Sequence, residues 1–262
     1  MEGASENLTF NDYVKLSLES GIPPLELRYF PVENVESGLP IAYRTSVVIN
    51  SVLLGTLSEK DYAPVCDFRP SGLQLFKHHL QHVIAALKQF QKAQHNVQFL
   101  SVRCPAEIVD SANVNLFDEV SEVLKKNPNV LPQQLCIEFP AELLQKDAKR
   151  ANTMLLDMKV LGVRTMLTDC AKDDFPLAKL VEITPNLVVL HPQATKWAGS
   201  RNKPSLVPSL VAYVASMGVD VIAQGEESQR YHLRNTECVG FVQTTPQALS
   251  LSQALQQKAV EE

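Results

Sequence analysis

The stretch from Leu161 to Pro192 constrains the fold more than any other part of the chain. A periodic apolar helix closes at Leu161–Gly162, and a β run from Arg164 to Cys170 follows, with the polar pair Thr168 and Asp169 near its C-terminal end. Beyond a loop that opens on Ala171–Lys172–Asp173, the residues Leu177, Leu180 and Ile183 mark a second helix. Leu187 to Leu190 then form an apolar run that delivers His191. Two parallel strands need a crossover of about a dozen residues, so this spacing predicts a parallel βαβ unit. The C-terminal ends of such strands carry chemistry, which makes Thr168, Asp169 and His191 the first candidates.

The rest of the chain repeats the unit. Tyr13 leads a short amphipathic helix ended by Gly21–Ile22–Pro23–Pro24, before a strand over 25–32. A second strand spans 41–49, and the connection from Glu33 to Pro40, with Ser37–Gly38 as its turn signal, is too short for a parallel crossover. Strands one and two are therefore predicted antiparallel. Leu73, Phe76, Leu80, Val83, Ile84, Leu87 and Phe90 repeat at helical spacing before a strand over 97–104. Further strands are predicted at 135–139, 219–223 and 239–242, with helices around Leu116–Leu124, 143–161, 206–217 and Tyr231–Leu233 between them. Eight strands alternating with helices are the tally of an α/β, TIM-barrel-like fold with a reversed second strand. The predicted divisions are a helical lead-in packed on the barrel over 1–24, the barrel over 25–250 and a C-terminal tail over 251–262.

Charge and cysteine usage limit the function classes. A net charge of −5 in 262 residues gives no general grip on nucleic acid. The five cysteines, Cys66, Cys104, Cys136, Cys170 and Cys238, are widely spaced and mostly lie in or beside apolar runs, which fits reduced thiols better than a disulfide framework. Glu2, Glu6 and Asp12 near the N-terminus, with no apolar run of membrane-spanning length, lead to the expectation of a soluble, cytoplasmic protein without a membrane span.

Several local patterns, in order, resemble the Glu-Ala-Leu (EAL) family of cyclic di-GMP phosphodiesterases. Tyr29, Pro31, Val32 and Gly38 look like the family's opening Tyr-Gln-Pro-Ile and turn glycine, and Asp61, Tyr62, Pro64 and Val65 resemble its Phe-Ile-Pro segment. Ile137–Glu138 stands at Leu-Glu-Ile, Leu177 and Leu180 match Ser-x-Leu-x-x-Leu, and Ala223, Gly225 and Glu227 match Ala-Glu-Gly-Val-Glu. Gly240–Phe241 and Pro246 fit the closing Gln-Gly-Tyr and Pro, so the resemblance runs from about Leu25 to Leu249. It implies the barrel above, with two divalent cations held by carboxylates and an amide at its mouth to activate water for phosphodiester cleavage.

The departures bear on that chemistry. The signature triplet aligns with Arg44–Thr45–Ser46, the family's Asn with Arg103, and Asp-Asp-Phe-Gly with Thr168–Asp169–Cys170–Ala171. Its Lys-x-Asp aligns with Val189–Leu190–His191, so the general-base lysine and the following Asp are both replaced. The ligating Glu of the seventh strand is Gln224 and the closing Gln is Val239. Only Glu138, Asp169 and Glu227 remain acidic, and three carboxylates facing two guanidiniums are a poor set for two metals. The substrate-contacting Gln and Arg align with Phe30 and Val48, which disfavours cyclic di-GMP binding as well. Without cations the three carboxylates repel one another at short range, so Arg44 and Arg103 are expected to stand in for the metals.

Plainer readings apply to individual residues. Glu138 and Asp169 end strands of any such barrel and read first as structural carboxylates. His191 reads as a hydrogen-bonded core histidine, and His78, His79 and His82 as a solvated helix face. Thr168 with His191 lacks an oxyanion-hole motif and makes a poor nucleophile and base. Trp197 beside Lys196, Arg201 and Lys203 reads as an anchored loop.

The expected function is that of a catalytically inactive EAL-like module with no metal and no cofactor. As the resemblance implies, it acts in bacterial signalling by binding a regulatory protein such as a transcription factor, in control of motility, biofilm or virulence. The alternatives are a non-hydrolysing cyclic di-GMP receptor and a weak metal-dependent phosphodiesterase on Glu138, Asp169 and Glu227. Relatives often dimerise through helices near the fifth and sixth strands, so a homodimer is an allowed assembly.

Overall fold

Strand pairing closes this chain into a ring. The computed structural model describes residues 25–51, 55–66, 70–105, 108–109, 114–142, 147–172, 177–183, 185–196, 198, 200 and 205–257. The expected lead-in over 1–24 and Trp197, Arg201 and Lys203 lie outside them. The strands are β1 (Leu25–Glu33), β2 (Pro40–Ser51), β3 (Gly55–Leu57), β4 (Leu100–Arg103), β5 (Leu135–Pro140), β6 (Arg164–Cys170), β7 (Leu187–Leu190), β8 (Asp220–Gly225) and β9 (Cys238–Gln243). Their order is β1-β9-β8-β7-β6-β5-β4-β2-β3, and a further β1–β2 pairing closes the barrel. Strand β3 is an addition to the expected set; it hangs on β2 alone, as a short hairpin outside the ring.

One expectation needs correction. The first two strands do pair antiparallel, from Leu25↔Ile49 to Glu33↔Pro40. The reversed member, however, is β1 and not the second strand. β2 runs parallel to β4, whereas β1 is antiparallel to β9 as well as to β2. A short connection fixes only the relative direction of the strands it joins; which one agrees with the other six of the ring is settled by the pairings around it.

Alternation along each strand builds two layers. Val32, Ala42, Phe99, Cys136, Met166, Leu187, Val189, Ile222 and Val242 point inward and fill the barrel with hydrocarbon. Their neighbours Tyr29, Tyr43, Leu100, Val102, Ile137, Leu167, Val188, Leu190, Val221 and Phe241 point outward into a second core beneath the helices. Those helices are α1 (Glu59–Cys66), α2 (Pro70–Lys92), α3 (Leu116–Lys125), α4 (Ala148–Val160), α5 (Pro192–Thr195), α6 (Val207–Ala215), α7 (Glu227–Arg230) and α8 (Leu251–Gln256). α2 buries Phe76, Leu80, Val83, Leu87 and Phe90 on one stripe. Helix α3 starts where Asn115 accepts a hydrogen bond from the Phe117 N–H, and α4 where Asp147 accepts from Arg150. The helix expected at Leu177 is a tighter 3-10 turn over Leu177–Glu182.

Residues beyond 250 contribute to the core. The Ser250–Gln253 capping box starts α8, whose Ala254 is fully buried. The Tyr43 hydroxyl donates to the Ala254 carbonyl at 3.1 Å. Gly38 adopts φ +72°, and a Cβ there would stand 2.7 Å from the Arg230 guanidinium, so another residue would strain the backbone and displace that side chain. Cys104, Cys136, Cys170 and Cys238 are free thiols, the first three buried.

Candidate functional site

Above the hydrocarbon filling, the same inward alternation turns polar. A cavity of about 960 Å³ opens there, lined by Phe30, Arg44, Thr45, Ser46, Ser58, Glu59, Lys60, Arg103, Glu138, Gln224, Val242, Gln243, Thr244, Thr245 and Pro246. It lies where the C-terminal ends of parallel strands converge, the usual place for a site in such a barrel.

Its centre is an ion pair. Arg44 Nε donates to Glu138 Oε1 at 3.0 Å and its Nη2 to Oε2 at 2.6 Å, a bidentate fork that takes both carboxylate oxygens. Ser101 Oγ, on the strand between them, also donates to Glu138 Oε1. The Glu138 side chain is only 4% exposed. Burial opposes its charge, yet the charge and hydrogen bonds of Arg44, joined by Ser101, hold its pKa below the ordinary value.

The other residues singled out in the sequence fall elsewhere. Arg103 pairs in register with Glu138 in the β4–β5 ladder, but its guanidinium turns to Glu59, with Nε 3.1 Å from Oε1. The expectation that Arg103 would join Arg44 on the same carboxylates is thus corrected, and its partner Glu59, on α1, carries no sequence signal. Glu138, Asp169 and Glu227 do not converge either. Asp169 has φ 60° beside a register break between Leu167 and Cys170, so it is exposed and absent from the cavity wall. Asp tolerates that backbone better than most residues.

Glu227 belongs to a second cluster. It accepts from Arg230 at 2.7 and 2.9 Å and from the Gln243 amide at 3.1 Å. Arg230, almost wholly buried, also approaches Glu33 at 3.7 Å and donates to the Val35 carbonyl. Burial, then the Glu227 charge, raises the Glu33 pKa. Among the described residues, no three His, Cys, Asp or Glu side chains are grouped so that they would hold a metal ion.

Val189 is 1% exposed in the hydrocarbon layer, where an amine would meet methyl groups. Val48 is buried too, Phe30 and Gln224 line the cavity, and Val239 is 36% exposed. Thr168 donates from Oγ1 to the Phe139 carbonyl at 3.5 Å. His191 is not a core histidine; it is half-exposed and caps α5, with Nδ1 accepting from the Gln193 N–H at 3.2 Å. A proline at the first helical turn leaves that cap position to His191.

His79 corrects another expectation. It is 6% exposed, and its Nε2 is 2.6 Å from Thr45 Oγ1. The signal is present in the sequence, because His79 shares the i, i+3 and i+4 stripe with Phe76, Leu80 and Val83. Burial pushes its pKa down to about 3, against a smaller upward pull from Glu138. The unfolded imidazole takes up a proton below about 6.5 and the folded one only near 3. Stability is therefore expected to fall with pH across that window, by up to about 1.4 kcal/mol per pH unit from this group. Urea titrations over that range should show a shallower slope for His79→Gln.

The comparisons with known proteins then decide the family. The sequence model of the EAL domain matches residues 18–238. This chain belongs to the EAL domain family. Its members are normally cyclic di-GMP phosphodiesterases. This EAL domain is similar in fold to the PaMucR phosphodiesterase in complex with cyclic di-GMP, with a TM-score of 0.77 and 17% identity over 91% of this chain and 97% of that one. It is also similar to the FimX EAL domain from Pseudomonas aeruginosa bound to cyclic di-GMP, with a TM-score of 0.75 and 12% identity over 93% and 97%. An EAL domain protein from Listeria monocytogenes EGD-e matches with a TM-score of 0.72 and 17% identity over 96% and 98%. No curated protein matches the chain. Among the described residues, this EAL domain has no helix long and apolar enough to cross a membrane.

Proposed function

We propose that this EAL domain is a regulatory protein-binding module of bacterial signalling that does not hydrolyse cyclic di-GMP. The observation that carries the reading is the Arg44 fork on both oxygens of Glu138. In the family chemistry, two divalent cations supply an activated water and neutralise charge on the phosphodiester. The residues of this mouth do not suit that pair. Glu138 is committed to a guanidinium, Gln224 offers a neutral amide, Asp169 is exposed and lines no part of the cavity, and Glu227 is held by Arg230. Val189 supplies no amine to take a proton from water. With this chemistry lost and the barrel kept, recognition of a regulatory protein, such as a transcription factor, is the role that remains.

Incubation with cyclic di-GMP and Mg²⁺ or Mn²⁺ tests the reading. No linear product is expected; turnover that Glu138→Ala abolishes would overturn it. A second reading, a non-hydrolysing cyclic di-GMP receptor, is favoured by the roomy cavity at the mouth, of the size that small-molecule sites have. Micromolar binding in calorimetry, with or without Mg²⁺, would put that reading first.

A further inference from the structure

We infer that Arg44 is a built-in counter-ion: its guanidinium fills the place among the mouth carboxylates that a divalent cation would take, so one side chain sets the cation requirement of this pocket. Glu138 is bound as a metal would bind it, through both oxygens, at 3.0 and 2.6 Å. A second guanidinium, Arg103, holds the second carboxylate of the same cavity, Glu59, at 3.1 Å. The pocket thus sets Arg44, Arg103 and Lys60 against Glu59 and Glu138, and an entering divalent ion would find each carboxylate already faced by a guanidinium. The negative charges of Glu59 and Asp169 also reach Arg44 and, with Glu138, stabilise its protonated form against burial.

The placement is rigid. Arg44 lies in β2, opposite Phe30 of β1 in antiparallel register, and Ser101 on the intervening β4 donates to the same carboxylate oxygen as Arg44 Nε. An ion carried on the chain needs no capture from solution, so Glu138 keeps its counter-charge at any metal concentration. Removing the guanidinium would strand a buried carboxylate, and a carboxylate in its place would set all-oxygen donors beside Glu138, which suits Mg²⁺ or Mn²⁺.

The inference rests on the reading above only in that no metal pair occupies the native mouth. Its test reads melting temperature and not turnover, so the two fail separately. The full chain and R44E are melted in EDTA and in millimolar MnCl₂. Native protein is expected to melt at the same temperature in both. R44E is expected to melt roughly 10 °C lower in EDTA and to regain at least half of the loss with Mn²⁺. The response should vanish in R44E/E138Q. Should R44E fail to fold in either buffer, R44Q takes its place, with a lowered melting temperature that Mn²⁺ raises more than it raises the native one. A native protein that responds to Mn²⁺ as strongly as the variant would overturn the inference. So would variants that melt like the native protein in EDTA, or that show no Mn²⁺ response.

Discussion

Replacing Arg44 by alanine is expected to remove about 3–5 kcal/mol of folding stability, because it strands Glu138 as a buried charge without a partner. Equilibrium urea unfolding at neutral pH measures it. The double replacement Arg44→Met with Glu138→Leu should cost far less than either truncation alone, since a buried pair exchanged for hydrocarbon of similar size is often near neutral. Acid provides a second check on the sign. Arg44 and Ser101 hold the Glu138 pKa below its ordinary value despite burial. Its contribution is therefore complete above about pH 4.5 and is lost as pH falls through the lowered folded value. The gap between native protein and Arg44→Ala should close on the same descent.

Phe90→Ala is expected to cost about as much, roughly 3–5 kcal/mol, by opening a cavity where three elements meet. Phe90 is 1% exposed, with its ring 5.7 Å from Tyr43, 6.2 Å from Tyr29 and 5.2 Å from His95. Those rings come from β1, β2 and the segment just after α2. Tyr43 and His95 in turn hydrogen-bond to the Ala254 and Gln257 carbonyls of the α8 region. Urea unfolding should show the loss, and hydrogen exchange should show faster opening of α8. Tyr43→Phe, which removes one hydroxyl and keeps the ring, should cost only about 1 kcal/mol. Equal losses from both would count against a packing origin.

Part of the site is legible in the order of residues, because its signals are local. Glu138 at the end of an apolar run and Arg44 within another both stand out as charges that a barrel interior must neutralise. Arg103 is equally visible, but its partner is not. Glu59 begins a helix after a hairpin that no periodicity announces, and nothing along the chain brings it over β4. His79 departs from the solvated face expected for it through a helical phase that Phe76 and Leu80 spell out. Asp169 reads as an inward strand end, whereas one register break turns it to solvent.

Composition and spacing by themselves determined the alternation of strands and helices, the antiparallel first pairing and the unusual charges at the strand ends. Those are properties of neighbours along the chain, set by period-two and period-3.6 burial and by connection length. The tertiary structure alone decided that β1 is the reversed strand, that Arg44 and not Arg103 holds Glu138, and that Glu227 belongs to Arg230. Each of those is a choice among partners that the sequence leaves open. Ring closure and the cost of burying an unpaired charge made it, and neither exists until the barrel shuts.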